Sequence, residues 1–188
     1  MYRLPPAASG PEFRALLDYW IASFPKASIP KDGAAGRLPG RLPGRQHIDP
    51  AELPARYLAQ LLLLDVVPAS PRRFRFRVAG TAFSTIAGRD VTGLHYDEIG
   101  APEQVAPAMA AFNLIVDRAQ PVFLEGVLTL PSDDHFWVKR LGLPLAQDGS
   151  NVDMVLALWV AERQSRADVA RALLTGAEVP GPQLLERI

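Results

Sequence analysis

The stretch FRFRVAGTAFSTIAGRDVTG, residues 74–93, constrains the fold of this chain more than any other. Phe74, Phe76 and Val78 alternate with Arg75 and Arg77, the two-residue period of a strand with one apolar and one charged face. Gly80 and Thr81 stop the strand. Thr81 is placed to cap a short helix over residues 82–87, and Gly88 to end it. A strand, a short helix and a glycine-bounded turn in so few residues belong to an α+β domain.

Upstream, residues 12–24 read as an amphipathic helix. Phe13, Leu16, Leu17, Trp20, Ile21 and Phe24 recur at helical spacing, with Arg14 and Asp18 opposite. Such an apolar load needs cover, so Phe13, Leu16, Trp20 and Phe24 are assigned either to a dimer interface or to packing on the outer sheet face. Residues 25–45 form a proline- and glycine-rich loop with the tandem repeat RLPG-RLPG-R. Lys26, Lys31, Arg37, Arg41 and Arg45 against Asp32 give it a local charge of +4. The loop reads either as a contact site for an acidic partner or phosphate, or as a solvated repeat expansion.

Asp49-Pro50-Ala51-Glu52 has the form of a helix start, predicting a helix to about residue 60 that buries Leu53, Tyr57 and Leu58. Leu61–Val67 reads as a buried strand. A long helix is predicted over residues 107–119, with Ala108, Met109, Phe112, Ile115, Val116 and Ala119 as its apolar stripe. Strands follow over residues 122–130, 135–145 and 151–161. Ser165-Arg166-Ala167-Asp168 is a capping box for a last helix ending near Gly176, and residues 177–188 read as a loosely attached tail.

The sum is a five-stranded antiparallel sheet with helices inserted between strands two and three, flanked by an N-terminal amphipathic helix and a C-terminal helix. Leu61–Val67 and residues 154–160 are apolar on both faces and should be central. The Phe74 strand, with its alternating arginines, should lie nearer an edge. The corresponding division is 1–45 for the helix and basic loop, 46–162 for the core, and 163–188 for the last helix and tail.

This layout resembles the PAS fold, and four motifs sharpen the likeness. Leu42-Pro43-Gly44-Arg45 before Ile48-Asp49-Pro50 resembles an LPxR…DP element, Arg77 to Thr81 an RxxGT element, and Gly88 to Gly93 a GRDxTG element. Leu143-Pro144-Leu145 precedes the last strand as a PL element should. Together they resemble a bacterial family of stand-alone PAS proteins common in alphaproteobacteria, over about residues 16–161; the duplicated RLPG is the departure. The resemblance implies a signal sensor or protein-interaction module, with any ligand between the inner sheet face and the long helix. It implies no particular ligand.

Composition narrows the chemistry. The formal charge is zero, so no overall field recruits nucleic acid or a membrane surface. The absence of cysteine removes disulfides, thiolate catalysis, thiolate metal sites and cysteinyl-flavin photochemistry. The N-terminus has no apolar core of a signal peptide, and no apolar run is long enough to span a bilayer. The expectation is a soluble, cytoplasmic protein.

Candidate ligand contacts are Met109, Phe112 and Val116 on the long helix, Phe123 and Trp137 on the strands, and Arg77. The same residues also suit plain core packing, and alternation does not say which strand face turns inward. Arg77 and Arg75 suit either a bound carboxylate or phosphate, or ion pairs with Glu125, Asp65 or Asp90. His47, His95 and His135 show no metal-ligand spacing, so no metal is expected; haem and flavin are disfavoured, and no cofactor is assigned. No nucleophile elbow or phosphate-loop lysine appears. The reading is a non-catalytic, single-domain sensor or adaptor, dimeric with itself, taking a small molecule and signalling to a protein partner in trans. The alternative is a ligand-free interaction module regulating a kinase or another regulator, and an enzyme is the remote one.

Overall fold

The structure is a computed structural model that describes residues 2–25, 41–130, 132, 134–174 and 181–188. Its centre is a six-stranded antiparallel sheet. The chain runs β1 (Tyr2–Arg3), α1 (Pro11–Ala22), α2 (Ala55–Leu58), β2 (Leu61–Val67), β3 (Arg73–Ala79), α3 (Thr81–Ala87), α4 (Pro102–Arg118), β4 (Val122–Thr129), β5 (His135–Leu145), β6 (Met154–Gln164), α5 (Arg166–Leu174), β7 (Gln183–Leu184) and β8 (Glu186–Arg187). The sheet order is β3-β2-β6-β5-β4-β7, with β1 and β8 paired separately. The apolar strands β2 and β6 are central and the arginine-bearing β3 lies at an edge. Among the described residues, no helix is long and apolar enough to cross a membrane.

Two apolar layers cover the two sheet faces. On the outer face, Phe13, Leu16, Leu17 and Trp20 of α1 and the following Phe24 pack on Leu61, Leu63, Phe123, Leu141, Leu143 and Leu158. Trp20 is fully buried and donates from Nε1 to the carbonyl of Pro144 at 2.9 Å. Phe13 meets Phe123 edge-on at 5.6 Å. Each such side chain contributes roughly 1.5–3 kcal/mol by leaving water. Phe13, Leu16, Trp20 and Phe24 are thus spent within the chain, where the sequence allowed a dimer interface as well.

On the inner face, α4 lies over β4 and β5. Ala108, Ala111, Phe112 and Ile115 pack with Leu62, Leu64, Phe74, Phe76, Val138 and Val155. Gly142 lets the helix close in, since a β-carbon there would overlap Ile115 Cδ1.

Several elements differ from expectation. The long helix starts at Pro102, which takes the first-turn position, and carries Pro107 inside it. The predicted helix over residues 49–60 is broken. Asp49 caps a short 3-10 turn, Pro50–Glu52, accepting from Ala51 N at 3.0 Å, and α2 follows separately after Pro54, whose missing N–H interrupts any continuous helix. Strand β3 slips register opposite Leu63 and Leu64: Phe76 faces Leu64 and Val78 faces Leu63. That bulge turns Val78 away from Phe74 and Phe76 and leaves it 49% exposed. The tail is tied down: β7 extends the sheet at the β4 edge, β8 pairs with β1, and Leu185 between them is buried.

The sequence motifs have structural jobs. Leu42 N donates to Gly149 O at 2.8 Å, and Ala146 N to Pro43 O at 2.9 Å. Arg41 reaches Asp148 O at 2.6 Å and Arg45 reaches Ile48 O at 2.6 Å. The second RLPG copy therefore staples the β5–β6 connection, while the first lies outside the described residues. Gly80 passes so close to α2 that a β-carbon would overlap the Ala59 carbonyl. Ser165 and Asp168 bond reciprocally at the start of α5, through Oγ to Oδ2 at 2.6 Å and N to Oγ at 3.2 Å. The predicted end of that helix near Gly176 lies outside the described residues.

Candidate functional site

A cavity of about 620 Å³ lies on the inner side of the sheet, a size usual for small-ligand sites. Its apolar wall comes from Phe83, Ile86 and Ala87 of α3, from Tyr96 and Ile99 before α4, from Val105 in the first turns of α4, from Leu128 and Leu130 around the end of β4, and from Trp159 of β6. Gly100 and Ala101 add backbone, and Gln104, Arg140 of β5 and the exposed Arg89 and Ser132 add polar groups.

The wall between α3 and α4 is built by the GRDxTG segment. Gly88 ends α3 at φ 70° and Gly93 turns the chain at φ 87°, both in the region that glycine tolerates best. The Asp90 carboxylate accepts from Thr92 N at 2.9 Å. Gly93 N then donates to Phe76 O at 2.8 Å, and Phe76 N to Leu94 O at 2.9 Å, so the segment runs along the free edge of β3. Arg73 clamps it with both Asp97 oxygens, Nη2 at 2.8 Å and Nε at 2.9 Å, and with Glu98 at 2.8 Å. Backbone donation from His95 and the Arg73 guanidinium hold Glu98 down at about 2. These bonds press Tyr96 inward, stacked on Phe76 at 5.3 Å and edge-on to Phe112 at 5.0 Å.

The polar atoms are few and uneven. Gln104 Nε2 donates to Thr129 O at 2.5 Å, and Arg89 Nη2 to Glu98 O at 3.2 Å. Arg140 and Trp159 stand opposite each other in the β5–β6 ladder. Arg140 Nε and Trp159 Nε1 are both buried, and neither has a hydrogen-bond partner among the described residues. Among the described residues, no aspartate or glutamate lines the cavity.

None of the six ligand contacts named from the sequence lines this space. Met109, Phe112 and Val116 sit further along α4, where the helix closes on filled core; Phe112 packs on Phe74 at 5.2 Å. Phe123 belongs to the outer layer under α1. Trp137 alternates with the inward Val138 and Arg140, so it faces outward, bonding Glu125 at 3.2 Å. Arg77 pairs with Asp65 at 2.6 Å, beside Arg75 at 2.9 Å. Burial pushes the Asp65 carboxyl up, but hydrogen bonds from Arg77 and Arg75 outweigh it and hold the group below the ordinary range. Of the alternatives for Arg75 and Arg77, the structure shows the ion pair. The histidines stay apart: His47 Nδ1 accepts from Gly44 N, His95 lies by Glu98, and His135 Nδ1 meets Thr129 Oγ1 at 3.0 Å.

The sequence reading missed Arg140. On β5 the inward set is Phe136, Val138, Arg140 and Gly142, so a lone charge on an apolar stripe was the available signal.

The sequence matches the PAS domain family over residues 10–160. The chain belongs to that family. PAS domains are sensor and interaction modules of signal transduction, in general without catalysis. Comparison with curated proteins finds no match. Among solved structures, this PAS chain is similar to the PAS domain of Bordetella pertussis BvgS, at 19% identity over 63% of this chain and 86% of that one, TM-score 0.44. It is also similar to a Rhodobacter sphaeroides LOV protein, at 17% identity over 62% and 68%, TM-score 0.44. A sensory box histidine kinase/response regulator from Burkholderia thailandensis matches at 16% identity over 63% and 88%, TM-score 0.39.

Proposed function

We infer that this chain is a non-catalytic PAS sensor that takes a small molecule into the cavity and passes the change to a protein partner in trans. The observation that carries this reading is the cavity of about 620 Å³, apolar-walled with a few convergent polar groups, at the junction of α3, α4 and β4–β6. Occupancy would be felt by the Tyr96–Glu98 segment, which forms one wall and is tied to the sheet edge through Arg73. Dimerisation, if part of the output, would use a surface other than the buried face of α1.

Native mass spectrometry of freshly purified protein, with an absorption spectrum of the same sample, tests the reading. The expected result is an extra mass that is lost on denaturation and is absent from Leu128→Trp, in which an indole fills the cavity. A clean apo mass, with no ligand found by screening, would overturn it in favour of a ligand-free interaction module. The feature that favours that second reading is exposed Val78 on β3, which lines a shallow apolar groove with Ile48 and Leu53.

A further inference from the structure

Opposed residues in an antiparallel pair hold their β-carbons roughly 4.5–5.5 Å apart, so Arg140 and Trp159 project side by side from one face of the sheet into the cavity wall. Trp159 is 1% exposed, and its indole N–H has no acceptor. The Arg140 Nε–H is equally buried and unpartnered. Buried donors are normally satisfied, so two of them side by side without an acceptor call for one. Among the described residues, the cavity wall supplies no carboxylate to answer them. Arg89, the other cation present, is exposed and already donates to the Glu98 carbonyl. Among the described residues the wall therefore offers one uncommitted positive charge, that of half-buried Arg140, two adjacent N–H donors and an apolar remainder formed by Phe83, Ile86, Ile99, Val105 and Leu128.

We propose that the cavity binds a monocarboxylate with an apolar body, its carboxylate held between Arg140 Nε and Trp159 Nε1 and its body against the aliphatic and aromatic wall. One carboxylate matches the single charge of Arg140, which a doubly charged phosphate exceeds. The proposal rests on the reading of this cavity as the ligand site and adds the chemical class of the ligand.

Decanoate and decanol, which share an apolar chain and differ in the head group, separate the two ideas. Each is titrated calorimetrically into the full chain and into Arg140→Met, Trp159→Phe and Leu128→Trp. Decanoate is expected to bind the unaltered chain at least about tenfold more tightly than decanol, the scale of a charge-assisted hydrogen bond. Arg140→Met keeps the apolar stem and should bring the two affinities together. Trp159→Phe should weaken decanoate several-fold and leave decanol unchanged, and Leu128→Trp should abolish both.

Equal affinity for the two probes in the unaltered chain overturns the carboxylate assignment and leaves the cavity as an apolar ligand site. Decanoate binding that survives unchanged in Arg140→Met or Leu128→Trp overturns it as well. Binding of neither probe overturns the proposal, while an extra mass on the purified protein would still support the cavity reading. A melting experiment without ligand stands apart from these: Arg140→Met removes a buried N–H that has no acceptor and should melt higher than the unaltered chain. A lower melting point would show that Arg140 is satisfied without a ligand and would sink the argument.

Discussion

Trp20 and Pro144 meet across 124 residues of chain, the indole N–H donating to the buried carbonyl at 2.9 Å. The bond fixes α1 on the outer face of the sheet at the end of β5. Trp20→Phe keeps much of the ring and removes the donor. The expected loss is about 1–3 kcal/mol, the penalty for a buried acceptor left unpaired, read from denaturant unfolding. Oligomeric state by light scattering should not change, because the α1 face is consumed within the chain. A Trp20→Phe variant as stable as the parent would remove the bond from the account of how α1 docks.

Gly80 is a position of close approach. Its backbone N–H donates to Leu61 O at 2.8 Å, and Ala82 N to Ala59 O at 2.9 Å, so the β3–α3 corner is sewn to the end of α2. Gly80→Ala would drive a methyl into the Ala59 carbonyl, which is backbone and cannot rotate away. The expected cost is about 1–3 kcal/mol, seen as a lower melting point. The same change at exposed Gly181, where a β-carbon meets nothing, should be nearly silent.

Ala119 closes α4 at φ 51° and ψ 41°, the left-handed conformation, without being glycine. An L side chain there costs roughly 1–2 kcal/mol. Ala119→Gly should therefore stabilise the fold by about 1 kcal/mol after the added freedom of the unfolded chain is counted. Calorimetry should show a rise of about 2–4 °C for a chain of this size. A fall would mean that the methyl group's packing against the outer layer outweighs the strain.

Glu98 titrates at about 2 in the folded protein against an ordinary 4.5. A folded-state value below the unfolded one means stability that is present above about pH 4.5 and lost as pH falls towards 2. Glu98→Gln cannot titrate, so its stability should fall less steeply than the parent's across that window. Parallel curves for the two proteins would show that the Arg73 clamp contributes nothing to the acid sensitivity.

Much of the architecture was legible because it follows from local pattern. The largely apolar runs of residues 61–67 and 154–160 pointed to central strands, and the alternating arginines of β3 to a place nearer an edge. The errors have identifiable causes. Pro54 stands inside the helix expected to about residue 60 and breaks it, whereas Pro107 falls inside a helix that tertiary packing holds together. Strict alternation places Val78 with Phe74 and Phe76 and takes no account of a bulge, which exists only in the pairing with Leu63 and Leu64.

The sequence alone determined the order of the core elements, the turn glycines at Gly88 and Gly93 and the family, since each depends on residues near one another in the chain or on their order. The tertiary structure decided which face of each strand turns towards α4, where the sheet's two layers divide, and that the open space lies at the first turns of α4 rather than beneath Met109, Phe112 and Val116. Those are matters of register and of packing between distant segments. Arg140 and Trp159 are 19 residues apart and become neighbours only through the β5–β6 ladder, so the pair of buried N–H donors comes into being when the sheet forms.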